Sequence, residues 1–83
     1  MTGRIHVDFD AGEGAVLRMV GLVERRGFAV SSISMGAANG RGSLSLDVEP
    51  RDSSRRLEVI AAQLRRLHDV RNVSIIPCEP GAS

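Results

Sequence analysis

The sequence predicts an α+β domain whose elements follow the order βαββαβ. Two segments place apolar residues at steps of three and four, which is the spacing of an amphipathic helix. Shorter segments of alternating or continuous apolar character, typical of strands, lie before, between and after them. Glycine, asparagine and proline mark the junctions. This order is that of the ferredoxin-like arrangement, in which two helices cover one face of a four-stranded antiparallel sheet.

The first half of the chain supplies a strand, a turn, a helix and a second strand. The strand spans Arg4–Phe9, where apolar and polar residues alternate. Asp10–Glu13 follows as a turn with the Asp and Glu spacing of a capping box. The helix spans Ala15–Arg26, and Gly27 suits the left-handed residue that ends it. Phe28–Met35 is the second strand. One broad face of the helix carries Ala15, Val16, Met19, Val20, Leu22 and Val23.

The middle of the chain predicts a β-hairpin. Gly36–Gly42 (GAANGRG) reads as the hairpin loop, with Asn39-Gly40 as its turn signal. Ser43–Val48 follows as a strand with strict alternation, and Pro50 ends it. Its polar residues, together with His6 and Asp8, are expected on a sheet face that is wet or docked.

The last third predicts a second helix, a final strand and a tail. Asp52 or Ser53 can cap the helix. Its apolar stripe consists of Leu57, Ile60, Ala61, Leu64 and Leu67. Val70–Ile76 is the last strand, and residues 77–83 form a polar tail that we expect to be flexible. Residues 1–83 thus make a single domain with its core in about residues 4–76.

The composition favours association and argues against several functions. The chain has only two aromatic residues for its core, and a domain of this size buries only roughly 60% of its unfolded surface. Such a core is marginal, and association would bury more surface, so we expect an oligomer or a subunit. Leu17 falls off the apolar helix face and is a candidate for contact with a neighbour. The net charge of +1 and the lack of Trp and Tyr argue against nucleic-acid binding. All eleven basic residues are Arg, which removes lysine chemistry.

Targeting signals are also lacking. The sequence has no apolar run of the ~20 residues that a membrane span needs, and no signal-peptide pattern. Its one cysteine, Cys78, cannot form an internal disulfide, which fits a reducing compartment. We therefore expect a cytoplasmic protein.

Side chains able to do chemistry are few and scattered. His6, His68 and Cys78 are not at metal-ligand spacing, so no metal site is predicted. Asp8 and Asp47 should share a face of neighbouring strands and could form a carboxylate pair. A flat sheet face gives such a pair no pocket, so a solvated or partner-facing surface is the favoured interpretation.

The Gly12-Glu13-Gly14 segment allows two interpretations. Two glycines let the backbone approach another group closely, and amides at a helix start can bind a carboxylate. The same residues also make an ordinary strand-to-helix turn. The position of a third glycine in a dinucleotide fingerprint is occupied by Leu17, which excludes that motif.

A family resemblance rests on the joint order of several short motifs. They are Gly14-Ala15, Arg18, Gly21-Leu22, Arg26-Gly27-Phe28, Val30, Ser32 and Met35, followed by Gln63-Leu64, Leu67, Asp69-Val70, Val73 and Ile75. This pattern resembles the ACT domain of the regulatory small subunits of acetolactate synthase, also called acetohydroxyacid synthase. It is most similar to the short type found with the valine-insensitive isozyme, and it covers about residues 4–76.

The resemblance implies a protein without catalytic residues of its own. Such subunits bind and activate a large subunit that carries thiamine diphosphate, Mg and FAD. The large subunit makes acetolactate for branched-chain amino acid biosynthesis. Many of these small subunits also confer feedback inhibition by branched-chain amino acids. The resemblance therefore predicts an acetolactate synthase large subunit as partner and no cofactor in this chain.

The resemblance also implies a location for an effector. ACT domains pair side by side as homodimers, and an amino acid binds between the first loop and strand two of the neighbour. By position these are Ala11, Gly12, Glu13 and Gly14, and Ala29 and Val30. Valine-sensing members have Asn at the positions of Ala11 and Ala29. Each lost amide hydrogen bond costs about 0.5–1.5 kcal/mol, so we expect no valine feedback. A free-standing amino-acid sensor that regulates another protein is the alternative.

Overall fold

Four antiparallel strands form one sheet, and two helices pack against one of its faces. The computed structural model describes residues 2–12, 14–51 and 56–78. The elements in chain order are β1 (Thr2–Asp10), α1 (Ala15–Arg25), β2 (Phe28–Ala38), β3 (Arg41–Pro50), α2 (Leu57–Arg65) and β4 (Val70–Cys78). The strand order is β2-β3-β1-β4. The ferredoxin-like βαββαβ prediction is confirmed.

The core lies between the helices and the sheet because alternate strand residues point toward the helical layer. α1 packs against β2, and α2 packs against β4. The buried residues are Ile5, Val7, Phe9, Ala15, Met19, Val23, Phe28, Leu44, Leu46, Val48, Ile60, Ala61, Leu64 and Val73. The partly buried Val16, Val20, Leu22 and Leu57 complete the predicted helix stripes. Leu67, which was predicted in the second helix, packs against the core just after α2 ends at Arg65.

The hairpin between β2 and β3 is tighter than the sequence predicted. Both strands continue through most of Gly36–Gly42, and only Asn39-Gly40 remains as the turn. Asn39 and Gly40 have φ angles of 56° and 76°, as a two-residue turn of this type requires. The turn signal was therefore correct and the seven-residue loop was wrong. Small residues are not restricted to loops, and here they continue the strand pairing.

The start of α1 also differs from the expected capping box. Asp10 is the last residue of β1, and its carboxylate accepts a hydrogen bond from Arg71 at 2.6 Å. Gly14 is the N-cap, in the left-handed region with φ 77°, and among the described residues no side chain caps the helix. Glu13 lies outside the described residues. At the other end Gly27 has φ 93°, as predicted for the residue that follows the C-cap.

The predicted start of α2 and end of β4 lie only partly within the described residues. Asp52 and Ser53, the predicted caps of α2, lie outside the described residues. β4 extends to Cys78, opposite Thr2 of β1, so Pro77 and Cys78 belong to the sheet and not to the tail. Proline is compatible with β4 because this strand is at the sheet edge.

Candidate functional site

The connection between β1 and α1 is the glycine-rich segment that the sequence singled out. Ala11 donates its amide to the carbonyl of Gly40 at 2.9 Å, so the hairpin turn anchors the start of the loop. Ala15 donates its amide to the carbonyl of Gly12 at 3.2 Å. Gly12 and Gly14 are exposed. The loop is thus held at both ends while its glycine backbone faces solvent.

Ala29 and Val30, the strand residues of the expected effector site, lie at the opposite end of the sheet. Ala29 is opposite Glu49 of β3, whereas Asp10, just before the loop, is opposite Arg41. Eight residues along one strand correspond to about 26 Å. A single chain cannot bring the loop and these strand residues to one small molecule. A site that contains both needs a second copy of the chain.

β2 is an edge strand, and its C-terminal part is exposed to solvent. From Ser31 to Ala38 every residue is exposed, and the whole strand carries no charge and no proline. Natural proteins usually protect such an edge with charges, proline or a covering element. The free edge of β2 is therefore suited to pair with another strand.

Apolar side chains surround this free edge on the helical side of the sheet. Ile33 and Met35 lie opposite the buried Leu46 and Leu44, which places them on the helix-bearing face. They are nevertheless 50% and 54% exposed, and Leu17 on α1 is 79% exposed. We call Leu17, Ile33 and Met35 the β2-edge patch.

The position of Leu17 follows from the orientation of α1. Arg18 reaches Asp69 beside the start of β4, so the opposite flank of the helix faces β2. Val16 and Val20 lie on that flank, about 160° from Arg18 at 3.6 residues per turn. Leu17 neighbours Val20 one turn away. The sequence had already indicated that Leu17 is not part of the monomer core, and its exposure confirms this.

The face of the sheet without helices carries a row of polar contacts. Arg4 donates from Nε to Oδ1 of Asp47 at 2.7 Å and from a terminal nitrogen to Oδ2 at 3.3 Å. The hydrogen bond from Arg4 holds the pKa of Asp47 below its ordinary value. His6 lies with Nδ1 3.0 Å from Oγ of Ser45 and Nε2 3.3 Å from Oδ1 of Asp8. We call this surface the open face.

Asp8 and Asp47 share the open face but do not form a pair. Asp47 is opposite Arg4, and Asp8 lies four residues further along β1, which corresponds to about 13 Å. Two carboxylates at that distance cannot share a proton. The geometry therefore does not support the acid–base interpretation of these two residues.

Two ion pairs fix the end of the sheet next to the β1–α1 loop. Nε of Arg71 lies 2.6 Å from Oδ1 of Asp10, and a terminal nitrogen of Arg18 lies 2.7 Å from Oδ2 of Asp69. The hydrogen bond from Arg71 lowers the pKa of Asp10. Desolvation acts to raise the pKa of Asp69, but the hydrogen bond from Arg18 and further favourable contacts lower it overall.

Two other features, a metal site and a membrane-spanning helix, find no support in the described part of the chain. Among those residues, His, Cys, Asp and Glu do not gather in groups of three or more that could hold a metal ion. Neither described helix is long and apolar enough to span a bilayer.

The sequence and the fold together define the class of protein. Residues 12–73 match the sequence profile of the ACT domain, so the chain belongs to the ACT-domain family. The ACT domain from the GTP pyrophosphokinase of Chlorobium tepidum has the same fold, with a TM-score of 0.77. That alignment covers 92% of this chain and 97% of the Chlorobium chain at 16% sequence identity, and it supports the fold alone.

Within this family the chain is similar to small subunits of acetolactate synthase. A probable acetolactate synthase small subunit from Methanothermobacter thermautotrophicus is 34% identical over 70 residues, which is 84% of this chain. The acetolactate synthase small subunit from Thermotoga maritima superposes with a TM-score of 0.74 and 26% identity over 90% of this chain. The chain spans 40% of the length of the first relative and 47% of the second.

Proposed function

We propose that this chain is a regulatory small subunit of acetolactate synthase. It has no catalytic role of its own; it binds the large, thiamine-diphosphate-dependent subunit and raises its activity in branched-chain amino acid biosynthesis. The observation that carries the proposal is the 34% identity to a probable acetolactate synthase small subunit over 84% of this chain. The structural similarity to the Thermotoga subunit supports it independently. The reaction takes place in the cytoplasm.

Dimerisation through the free edge of β2 is part of this proposal. Two copies pair their β2 strands antiparallel about a two-fold axis, which joins the two four-stranded sheets into one. This pairing satisfies the exposed backbone groups of the edge and brings the two β2-edge patches together. Burial of Leu17, Ile33 and Met35 then stabilises the dimer at roughly 25 cal/mol per Å² of apolar surface.

The same pairing explains how residues at opposite ends of one sheet can form one site. In an antiparallel pair, the start of the neighbour's β2 lies beside the end of this chain's β2. That end leads into the Asn39-Gly40 turn, to which Ala11 is hydrogen-bonded. The neighbour's Ala29 and Val30 therefore approach the Ala11–Gly14 loop. The methyl groups of Ala11 and Ala29 offer no hydrogen bonds to an effector's polar groups, so we propose that valine does not inhibit the complex.

The function is tested by reconstitution with the cognate large subunit. We expect the chain to co-elute with it, to increase the rate of acetolactate formation, and to leave that rate unchanged when valine is added. An unchanged rate together with separate elution would reject the function. Inhibition by valine would reject only the proposed insensitivity.

The dimer is tested by charge substitution in the β2-edge patch. Leu17→Asp and Met35→Asp each place a carboxylate in the proposed interface, and we expect light scattering to report a shift from dimer toward monomer. Val59→Asp is the matched control, because Val59 is 52% exposed on α2, away from β2. If all three variants keep the mass of the unsubstituted protein, the proposed interface is wrong.

A free-standing amino-acid sensor is the second candidate, and the exposed glycine backbone of the β1–α1 loop favours it. Titration of the ¹⁵N-labelled chain with the twenty amino acids separates it from the first. Saturable shifts of the Gly12, Gly14 and Ala29 amides, with no effect on the synthase, would support a sensor. Stimulation of the large subunit without such shifts supports the regulatory subunit.

A further inference from the structure

We propose that the open face holds a second binding site, for a small zwitterion such as an α-amino acid. The site is a shallow groove of about 290 Å³ near the hairpin turn. The described residues that line it do not include those of the Ala11–Gly14 loop, Ala29 or Val30. Its volume is close to the lower end of small-molecule pockets, which begin at ~300 Å³.

The floor of the groove is built from small residues at matched positions of neighbouring strands. Gly36 of β2 is opposite Ser43 of β3, and Ser43 is opposite Asp8 of β1. A Cβ atom added to Gly36 would meet only Oγ of Ser43, at 3.9 Å. The space above this floor is therefore open because side chains that would fill it are missing, while the Ser43 hydroxyl supplies a hydrogen-bonding group.

Opposite charges border the groove. Asp8 lies on its β1 side and Arg41 lies two residues before Ser43 on β3. Such diagonal neighbours lie about 7–8 Å apart, and their Cβ atoms lie somewhat closer. Among the described residues, no hydrogen bond or ion pair joins Asp8 to Arg41, and one oxygen of Asp8 lies 3.3 Å from Nε2 of His6. The charge of Arg41 adds to that of Arg71 in lowering the pKa of Asp10, but no hydrogen bond among the described residues engages the Arg41 guanidinium. Arg41 and the second carboxylate oxygen of Asp8 can therefore still bind a ligand.

A zwitterion complements this arrangement better than a simple ion does. Its carboxylate accepts hydrogen bonds from the planar guanidinium of Arg41, and its ammonium donates to the carboxylate of Asp8. His6, which also contacts Ser45, holds the Asp8 carboxylate in place. A simple anion could bind Arg41, but it would be repelled by the negative charges of Asp8 and of Asp10, which lies opposite Arg41. The groove's small size favours a short side chain, as in alanine.

The groove is compatible with the proposed dimer but does not depend on it. Pairing of β2 edges extends the sheet in its own plane and leaves the open face uncovered. The inference also stands apart from the acetolactate synthase proposal, because it concerns a ligand of this chain alone. Its test needs no large subunit.

The test is a titration of the ¹⁵N-labelled chain with L-alanine, propionate and ethylamine, followed by NMR. Propionate lacks the amino group of alanine, and ethylamine lacks its carboxylate. We expect saturable shifts of the Gly36, Gly42 and Ser43 amides with alanine. Each fragment should bind about tenfold more weakly or worse, because one charged hydrogen-bonding group is lost.

Variants assign the contacts. Arg41→Gln and Asp8→Asn should each weaken alanine binding by about tenfold or more. Gly36→Val should block the groove sterically without a change in charge. Arg51→Gln is the control, since it removes an equal charge at the other end of the sheet and should bind alanine normally.

Three outcomes would overturn the proposal. The first is an absence of saturable shifts in the groove. The second is propionate binding as tight as alanine binding, which would indicate a plain anion site. The third is alanine binding that shifts the Gly12, Gly14 and Ala29 amides and persists in Arg41→Gln.

Discussion

Gly42 provides the sharpest test of how the core under the open face is packed. This residue of β3 is buried and lies opposite Phe9 of β1. A Cβ atom at Gly42 would lie 2.5 Å from Cζ of Phe9 and 2.8 and 2.9 Å from its two Cε atoms. Phe9 is only 2% exposed, so its ring has little room to retreat. Gly42→Ala therefore forces the ring to move by almost 1 Å to reach ordinary contact.

The expected loss of stability follows from two opposing effects. Overpacking of a well-packed core costs about 1–3 kcal/mol. Replacement of glycine inside a strand returns roughly 0.5–1 kcal/mol, because alanine loses less backbone entropy on folding. The free energy of unfolding should therefore fall by about 1 kcal/mol, within a range of roughly 0–2.5 kcal/mol. For a domain of this size a fall of about 1 kcal/mol corresponds to a Tm lower by roughly 4–8 °C.

The assay is thermal and urea unfolding followed by circular dichroism, with Gly36→Ala as the control. Gly36 is in the paired strand and is exposed, and its added Cβ makes only the ordinary 3.9 Å contact with Ser43. We expect Gly36→Ala to be as stable as the unsubstituted chain or slightly more stable. The contrast between the two alanine substitutions isolates the packing against Phe9 from the effect of strand propensity.

A double-mutant cycle identifies the ring as the cause. Phe9→Leu shortens the side chain that meets Gly42, so the penalty of Gly42→Ala should shrink in that background. If Gly42→Ala is as stable as the parent chain, or if its penalty is the same with Leu at position 9, the close approach of Phe9 and Gly42 does not limit the packing and our reasoning fails.

Two further predictions concern the hairpin turn and the loss of stability at acidic pH. Asn39 has φ 56°, so Asn39→Val should lower the free energy of unfolding by about 1–2 kcal/mol in urea titrations, whereas Asn39→Gly should not; equal stability of the two variants would contradict this. The folded-state pKa of Asp69 lies below its ordinary value of 3.8. The stability that the ionised Asp69 adds to the folded state is therefore present above that pH and is lost as the pH falls through the folded pKa. Asp69→Asn should therefore be less stable than the parent chain near pH 6 and should lose less stability on acidification, which urea titrations between about pH 3 and 6 would show. If the stability of parent and variant changes with pH in parallel, the Arg18 contact does not have this role.

The elements of this domain could be predicted from sequence because their signals are local. The apolar stripe that contains Met19 and the alternation around Leu46 depend only on residues a few positions apart. The left-handed residues Gly27 and Gly40 were also marked by their type. The hairpin length was mistaken because Gly36 and Ala38 are typical of loops, and only the pairing with β3 shows that they continue the strand.

The candidate sites were less predictable. The sequence resemblance named Ala11–Gly14 and Ala29–Val30. Asp10, just before that loop, lies about 26 Å along the sheet from Ala29, so a site that contains both segments remains a proposal that requires two chains. Arg41 was not among the candidate binding residues that the sequence indicated. Extension of the alternation backward from Leu44 would have put it on the open face, whereas its position diagonal to Asp8 depends on the register of β1 against β3.

The sequence by itself determined the element order, the faces of α1 and β3, the exposure of Leu17 and the turn at Asn39-Gly40. Each of these follows from backbone preference and periodicity within one segment. Only the tertiary structure decided that Asp8 and Asp47 are apart, that β2 has a free edge, and that Asp8 and Arg41 border one groove. The alternation within a strand determines which face each residue occupies, but it does not say which residue of a distant strand lies opposite. That register is set when the buried faces of the strands pack together.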